Sequence, residues 1–185
     1  MEKNTSKKGV NIRALTVSAL MVALAMILDQ IKLFQMPQGG CVTLFGMLPI
    51  ILLGYLLGTK WGLMGGTCVG ILNLIFGGYV IHPAQLFLDY ILAFAVMGLS
   101  GLVRNNKNGL TLGYIIGVSA RYICFVLSGW IFFGDYAPEN FNALTWSLWY
   151  NITFVAAEAA ITLIVINLPP VKNLFKRLRA TVETN

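Results

Sequence analysis

Four ionisable side chains stand inside long apolar runs: Asp29, Asp89, Arg121 and Glu158. An Asp at the centre of a membrane helix costs about 3 kcal/mol on insertion scales, so such a group faces a partner or a cavity and marks a functional site by default. Asp89 has the most suggestive company. It lies near the end of the stretch Gly77-Gly78-Tyr79-Val80-Ile81-His82-Pro83-Ala84-Gln85-Leu86-Phe87-Leu88-Asp89-Tyr90. On a helix Gln85 shares its face, Tyr90 follows it, and the loop before supplies Tyr79 and His82. A carboxylate among aromatic rings suits an organic cation, because a ring face attracts a desolvated cation by about 2 kcal/mol and the carboxylate adds charge pairing. The competing reading is a helix-terminal Asp hydrogen-bonded to its own loop.

The other candidates carry plainer readings. Arg121 and Glu158 both fall near mid-membrane, and a structural ion pair between them is preferred to ligand contact. Trp130, Phe132, Phe133, Tyr136, Phe141, Trp146, Trp149 and Tyr150 crowd together as an interfacial aromatic belt would. A belt does not account for Asn151, an amide that needs partners once buried. Trp146 and Tyr150 are four apart with Asn151 beside them, so a planar ligand could stack and hydrogen-bond there. His82, ahead of Pro83, reads as a loop-shaping residue rather than a metal ligand. Cys41, Cys68 and Cys124 are too scattered for a disulfide framework or a zinc site. No phosphate-binding loop of the G-x-x-x-x-G-K-[ST] type occurs, and no nucleophile–base pair can be assembled, so the chain reads as a non-enzyme without its own ATPase motif. No cofactor or metal is expected.

The elements that must position these residues follow from composition. Of 185 residues, 57% are hydrophobic and 11% charged, with a mean hydropathy of +0.76. That is the profile of an all-α integral membrane protein, and nothing resembles the alternating segments of a membrane barrel. The expectation is one membrane domain over 1–185 with six transmembrane helices at about 12–34, 44–58, 61–77, 84–103, 111–133 and 145–168. The apolar run from Ala14 to about Phe34 is too long for a signal-peptide core and is kept as the first span. Eleven cations fall on one side of this layout: Lys3, Lys7, Lys8, Arg13, Lys60, Arg104, Lys107, Lys172, Lys176, Arg177 and Arg179. The positive-inside rule then puts both termini in the cytoplasm of a cell with a plasma membrane. The net charge of +6 is thus a topology signal, and nucleic-acid binding is disfavoured. A ladder of Gly54, Gly58, Gly62, Gly66 and Gly70 points to close helix packing in spans two and three.

Taken together, Gly78-Tyr79, His82-Pro83, Gln85, Asp89-Tyr90, Arg121-Tyr122, Leu127-Ser128-Gly129, Phe132-Phe133, Tyr136-Ala137-Pro138, Ser147-Leu148 and Asn151 resemble the ThiT (YuaJ-like) family. Pro37-Gln38-Gly39-Gly40 and Met47-Leu48-Pro49 resemble that family's first loop and second helix. These are the thiamine-specific S components of energy-coupling factor (ECF) transporters in bacterial cell membranes. The resemblance implies a six-helix subunit that captures thiamine in an outer-half pocket, closed by the loop near Pro37 to Thr43. It implies partnership with a transmembrane coupling subunit and two cytosolic ATPases. Ala19 and Ala23 match the family's small-residue pattern for coupling-subunit contact. The family's acidic residue falls on Asp89, flanked by Tyr79, Gln85 and Tyr90; its amide falls on Asn151, with Trp146 and Tyr150 adjacent. The chain departs from the family at Phe125, where a histidine is expected, and at Phe133, where some members carry Trp. A thiamine precursor or other heteroaromatic cation is therefore the alternative ligand. Outside the class, the alternatives are a proton-coupled carrier using Asp89 and Glu158, or a non-binding accessory subunit.

Overall fold

A computed structural model describes residues 11–183, apart from the side chains of Gln38 and Glu183. Lys3, Lys7 and Lys8 lie outside the described residues. The chain folds as a helical bundle, α1 (Ile12–Gln30), α2 (Leu48–Leu57), α3 (Thr59–Gly77), α4 (Pro83–Val103), α5 (Gly109–Phe132), α6 (Ala143–Asn167) and α7 (Pro169–Glu183). One small hairpin of β1 (Lys32–Gln35) and β2 (Cys41–Thr43) interrupts it. Among the described residues four helices, α1, α4, α5 and α6, are long and apolar enough to cross a membrane. Their outward faces carry exposed Leu20, Ile27, Ile123 and Ile164, which lipid would cover without penalty. The chain is a multi-pass membrane protein.

The first expected span, 12–34, is too long by a turn. The Asn11 side chain caps α1 by accepting from the Ala14 amide, and the helix stops at Gln30. Ile31 leaves helical geometry and residues 32–35 become a strand instead, paired antiparallel as Phe34 to Val42 and Gln35 to Cys41. The reason lies in the turn that follows. Pro37 fixes the chain for a single helical turn, Gly39 adopts φ 92°, and the Met36 amide closes onto the Gly40 carbonyl at 2.7 Å. The apolar run of 31–34 therefore belongs to a loop that folds back over the bundle.

Spans two and three are joined by Gly58 alone, at φ 95°. Nine of the ten residues of α2 are buried, so this helix is core rather than lipid-facing surface. The glycine ladder packs α2 and α3 against α4. A Cβ on Gly66 would lie 2.2 Å from the Phe94 carbonyl oxygen, and one on Gly70 would lie 2.0 Å from that of Tyr90. Such spacing forbids any side chain and brings backbones into contact. Ser100 then ties the layers by donating to the Ile51 carbonyl at 2.9 Å.

α4 is the irregular member. Its middle, Phe87–Leu92, widens to π geometry, and its end, Val96–Val103, tightens to 3-10. Wide turns of this kind concentrate at functional sites, and Asp89 and Tyr90 sit inside this one. α6 is the regular member, opened by a capping box in which Asn142 and Thr145 bond each other's backbone amides. It lies along α5, fastened by Ser147 to the Val126 carbonyl and by the Tyr122 hydroxyl to the Leu148 carbonyl. α7 is unanticipated by the sequence reading, which ends its last span at 168.

Candidate ligand cavity

At the hairpin end of the bundle lies a cavity of about 250 Å³, walled by α1, the hairpin loop, α3, α4, α5 and α6. Asp89, Tyr79, Gln85, Tyr90, Phe125, Phe133, Trp146, Tyr150 and Asn151 all line it. They come from three segments far apart in sequence, so the fold brings together what spacing alone could only group in pairs. Ala19 and Ala23 are elsewhere, exposed one turn apart on the outer face of α1.

The α4 wall is built from Gln85. This fully buried amide donates to Asp89 Oδ2 at 2.6 Å and to the Tyr79 carbonyl at 3.2 Å, while its oxygen accepts from the Ile81 amide. The Tyr90 hydroxyl accepts from the Tyr79 amide at 2.7 Å. One amide and one phenol thus dock the 79–82 loop onto the wide turn of α4. Asp89 takes the Gln85 hydrogen bond and also lines the cavity. Ser128, fully buried on the α5 wall, stands beside Asp89, near enough for its hydroxyl to interact with that carboxylate. His82 accepts from the Ala84 amide at Nδ1 and stacks on Phe132 at 5.1 Å, which is the loop-shaping geometry.

The α6 wall supplies the aromatic stack. Phe141, Trp146, Tyr150 and Phe154 form a chain of ring contacts with centroids 5.6 to 5.9 Å apart. Asn151 is buried, and its Nδ2 donates to the Ser147 carbonyl at 2.9 Å. Among the described residues no donor reaches its Oδ1, so the amide offers an acceptor to a guest. Phe133 contacts Tyr79 and Tyr136, closing the ring of aromatic side chains across to α4.

The loop above the cavity is held from α6. The Tyr150 hydroxyl accepts from the Gly40 amide at 2.9 Å and donates to the Pro37 carbonyl. Two turns further along, Glu158 is 5% exposed and its carboxylate takes three bonds: the Thr43 amide at 2.9 Å, the Thr43 hydroxyl at 2.8 Å and the Met47 amide at 3.2 Å. This corrects the expected Arg121–Glu158 ion pair. Arg121 instead lies with its guanidinium carbon 4.1 Å from the Phe94 ring and 4.8 Å from the Phe125 ring, reaching Met97 Sδ at 3.6 Å. Backbone amides win Glu158 because Thr43 and Met47 would otherwise be buried donors without partners.

Sequence reasoning left out several lining residues. Asp29 was noted only as an intramembrane acid, and Asn73, Phe94, Ser128 and Ser147 were not singled out as ligand contacts. Asp29 had a usable signal, an acid one turn from the end of an apolar run. Asn73 had the weaker one of a lone amide inside a glycine-rich helix. The cavity thus carries two carboxylates, Asp29 and Asp89, against Lys32 and the ring-bound Arg121. The cavity presents aromatic faces, two carboxyl groups and the Asn151 amide.

Comparison with known proteins gives consistent results. The profile of the family described as Thiamine transporter protein (Thia_YuaJ) matches residues 15–177. The chain is 37% identical over 164 residues to Thiamine transporter ThiT of Bacillus subtilis strain 168, covering 80% of this chain and 85% of that one. It is 32% identical over 139 residues to Thiamine transporter ThiT of Lacticaseibacillus paracasei, covering 66% and 69% respectively. A solved structure of ThiT from Listeria monocytogenes superposes with a TM-score of 0.73 at 26% identity, over 89% of this chain and 97% of that one.

Proposed function

The chain belongs to the thiamine transporter protein (Thia_YuaJ) family, and from that premise we propose that it is the substrate-binding S component of an ECF-type importer, capturing thiamine in the cavity beneath the hairpin. The thiazolium ring bears a charge that no pH change removes, and Asp89 is its counter-ion. Trp146 and Tyr150 stack on the ligand, Asn151 Oδ1 accepts from the aminopyrimidine, and Tyr79, Gln85, Tyr90, Phe125 and Phe133 complete the enclosure. The observation that carries this reading is the lining itself, in which the Asp89 carboxylate shares one cavity with Trp146, Tyr150 and Asn151, so an anion and stacking faces converge on the same space.

The remaining steps follow from the same reading. Six helices, α1 to α6, span the membrane with both termini cytoplasmic, as the cation distribution favours. The hairpin closes over bound ligand through Tyr150 and Glu158. The face of α1 bearing Ala19 and Ala23 meets the coupling subunit, and two cytosolic ATPases drive turnover. A proton relay through Glu158 is poorly served by a carboxylate already occupied by three loop donors. Phe125 carries the Arg121 guanidinium on its ring, which leaves a thiamine precursor as the second reading of the ligand.

Titrating the purified chain with thiamine while following tryptophan fluorescence tests both readings. Quenching through Trp146 at sub-micromolar thiamine is the expected result. Tighter binding of the isolated pyrimidine or thiazole half would select the precursor. No response to thiamine, its phosphates or its halves would remove the binding function.

A further inference from the structure

The end of the bundle opposite the cavity carries a collar of cations around α7. Lys60 opens α3, Arg104 and Lys107 lie between α4 and α5, and Lys172, Lys176, Arg177 and Arg179 stand on α7, which has no acid before Glu183. α7 is pinned across that end at several points. Its Phe175 packs on the core, and the helix touches both α2 and α6. Lys172 Nζ donates to Asn108 Oδ1 at 3.1 Å, and Arg13 reaches the Thr181 carbonyl at 2.6 Å. Arg179 donates to Asn105 Oδ1 at 2.6 Å and to the Arg104 carbonyl, its guanidinium 5.1 Å from the Tyr55 ring. A helix bonded at one end to the start of α5 and at the other to the start of α1 runs across the bundle rather than away from it.

What α7 leaves outward is of two kinds. Leu174 and Leu178, one turn apart, are 53% and 40% exposed, and Lys176 and Arg177 are exposed beside them. Leucines on one edge and cations on the other, on a helix lying flat where a membrane protein leaves the bilayer, are the composition of an interfacial helix. Clustered Lys and Arg at that depth are attracted to anionic phospholipid headgroups over about one Debye length. A small cleft lined by Lys107, Asn108, Lys172 and Lys176 lies where α7 meets the first turn of α5.

We propose that α7 and its cation collar form a docking surface for the anionic phospholipids of the leaflet at that end, with headgroup phosphates at Lys107, Lys172, Lys176 and Arg177 and with Leu174 and Leu178 in the acyl boundary. This rests on the membrane-spanning fold and is independent of which ligand fills the cavity. The surface holds α7 against α2 and α6, so lipid charge sets how firmly the last element is seated.

The test uses the full chain in lipid nanodiscs, read by amide hydrogen exchange in α7. Expected is at least fivefold slower exchange in α7 with phosphatidylglycerol present than in phosphatidylcholine alone, lost in 0.5 M NaCl and in the triple variant Lys107→Gln, Lys176→Gln, Arg177→Gln. Leu174→Ser with Leu178→Ser should halve the effect while the charges remain. An unchanged helical circular-dichroism spectrum and melting temperature would certify that these variants are folded, and a misfolded variant is replaced by the salt comparison on the unaltered chain. Equal exchange in both lipids would overturn the proposal. So would protection by inorganic phosphate alone in phosphatidylcholine, which would make the collar a simple anion site, or protection only on adding coupling subunits, which would make it a protein interface.

Discussion

Asp89 and Glu158 are both carboxylates in apolar helices, and the walls around them are built in opposite ways. Glu158 sits on the regular helix α6, 5% exposed, with three donors from the hairpin and the start of α2. Its charge is spent inside the chain. Asp89 sits on the π-widened part of α4 with Gln85 donating to it, Ser128 beside it and the cavity before it. The difference teaches that an acid in an apolar helix is classified by who satisfies it rather than by its being there. A carboxylate saturated by its own backbone is a tether. One at a cavity wall is, on the reading proposed above, a receptor.

The largest expected effect breaks the receptor side. Asp89→Asn keeps shape and the Gln85 contact but removes the charge, and losing one partner of a desolvated ion pair costs about 2 to 5 kcal/mol. Calorimetry should show thiamine affinity falling roughly a hundredfold or more, with thermal stability unchanged or higher because an unpaired charge is gone. Unchanged affinity would take Asp89 out of the site. Next is the tether side. Glu158→Gln weakens bonds made to a charged acceptor, worth about 1.5 to 3 kcal/mol. It should lower the melting temperature and, by loosening the hairpin, weaken thiamine by roughly tenfold, mainly through faster release. If Glu158→Gln harmed affinity as much as Asp89→Asn while leaving stability intact, the two acids would not be different in kind.

The same contrast explains how much was legible in the sequence. Hydropathy finds long apolar runs, so helices α1, α4, α5 and α6 could be placed within a few residues. Residue type and four-residue spacing gave Asp89 with Gln85 and Trp146 with Tyr150, because those pairs are local. The partners of Glu158 were not legible. Thr43 and Met47 are more than a hundred residues away, and an acid opposite an arginine looks like an ion pair until the backbone donors are seen. The hairpin was missed because Ile31 to Phe34 is as apolar as a helix end, and only the Pro37–Gly39 turn, acting tertiarily, draws it into a strand. α7 was missed because its charge conceals a helix stabilised by packing rather than by hydropathy.

A smaller effect sharpens the tether. Tyr150→Phe removes the hydroxyl that bonds the Gly40 amide and the Pro37 carbonyl, while the ring stays against Trp146 and Phe154. A neutral hydrogen bond contributes about 1 kcal/mol, so stopped-flow fluorescence should show thiamine release about fivefold faster with association little changed. Slower association instead would mean that the hydroxyl shapes the open cavity rather than holding the closed loop.

The smallest effect concerns Phe125, the departure from the family pattern. Its ring packs on Phe154 at 6.0 Å and under Arg121 at 4.8 Å. Phe125→His would add a hydrogen-bonding nitrogen worth about 1 kcal/mol to a polar ligand and give up about 0.5 kcal/mol of ring–guanidinium attraction. The net gain is about 0.5 kcal/mol, so thiamine affinity should rise by only about twofold. The gain should be larger for the isolated pyrimidine half than for the thiazole half if residue 125 faces the aminopyrimidine. Calorimetry with all three ligands separates these cases: flat affinity for every one would place position 125 beyond the ligand's reach and leave it as the platform that keeps Arg121 away from Glu158.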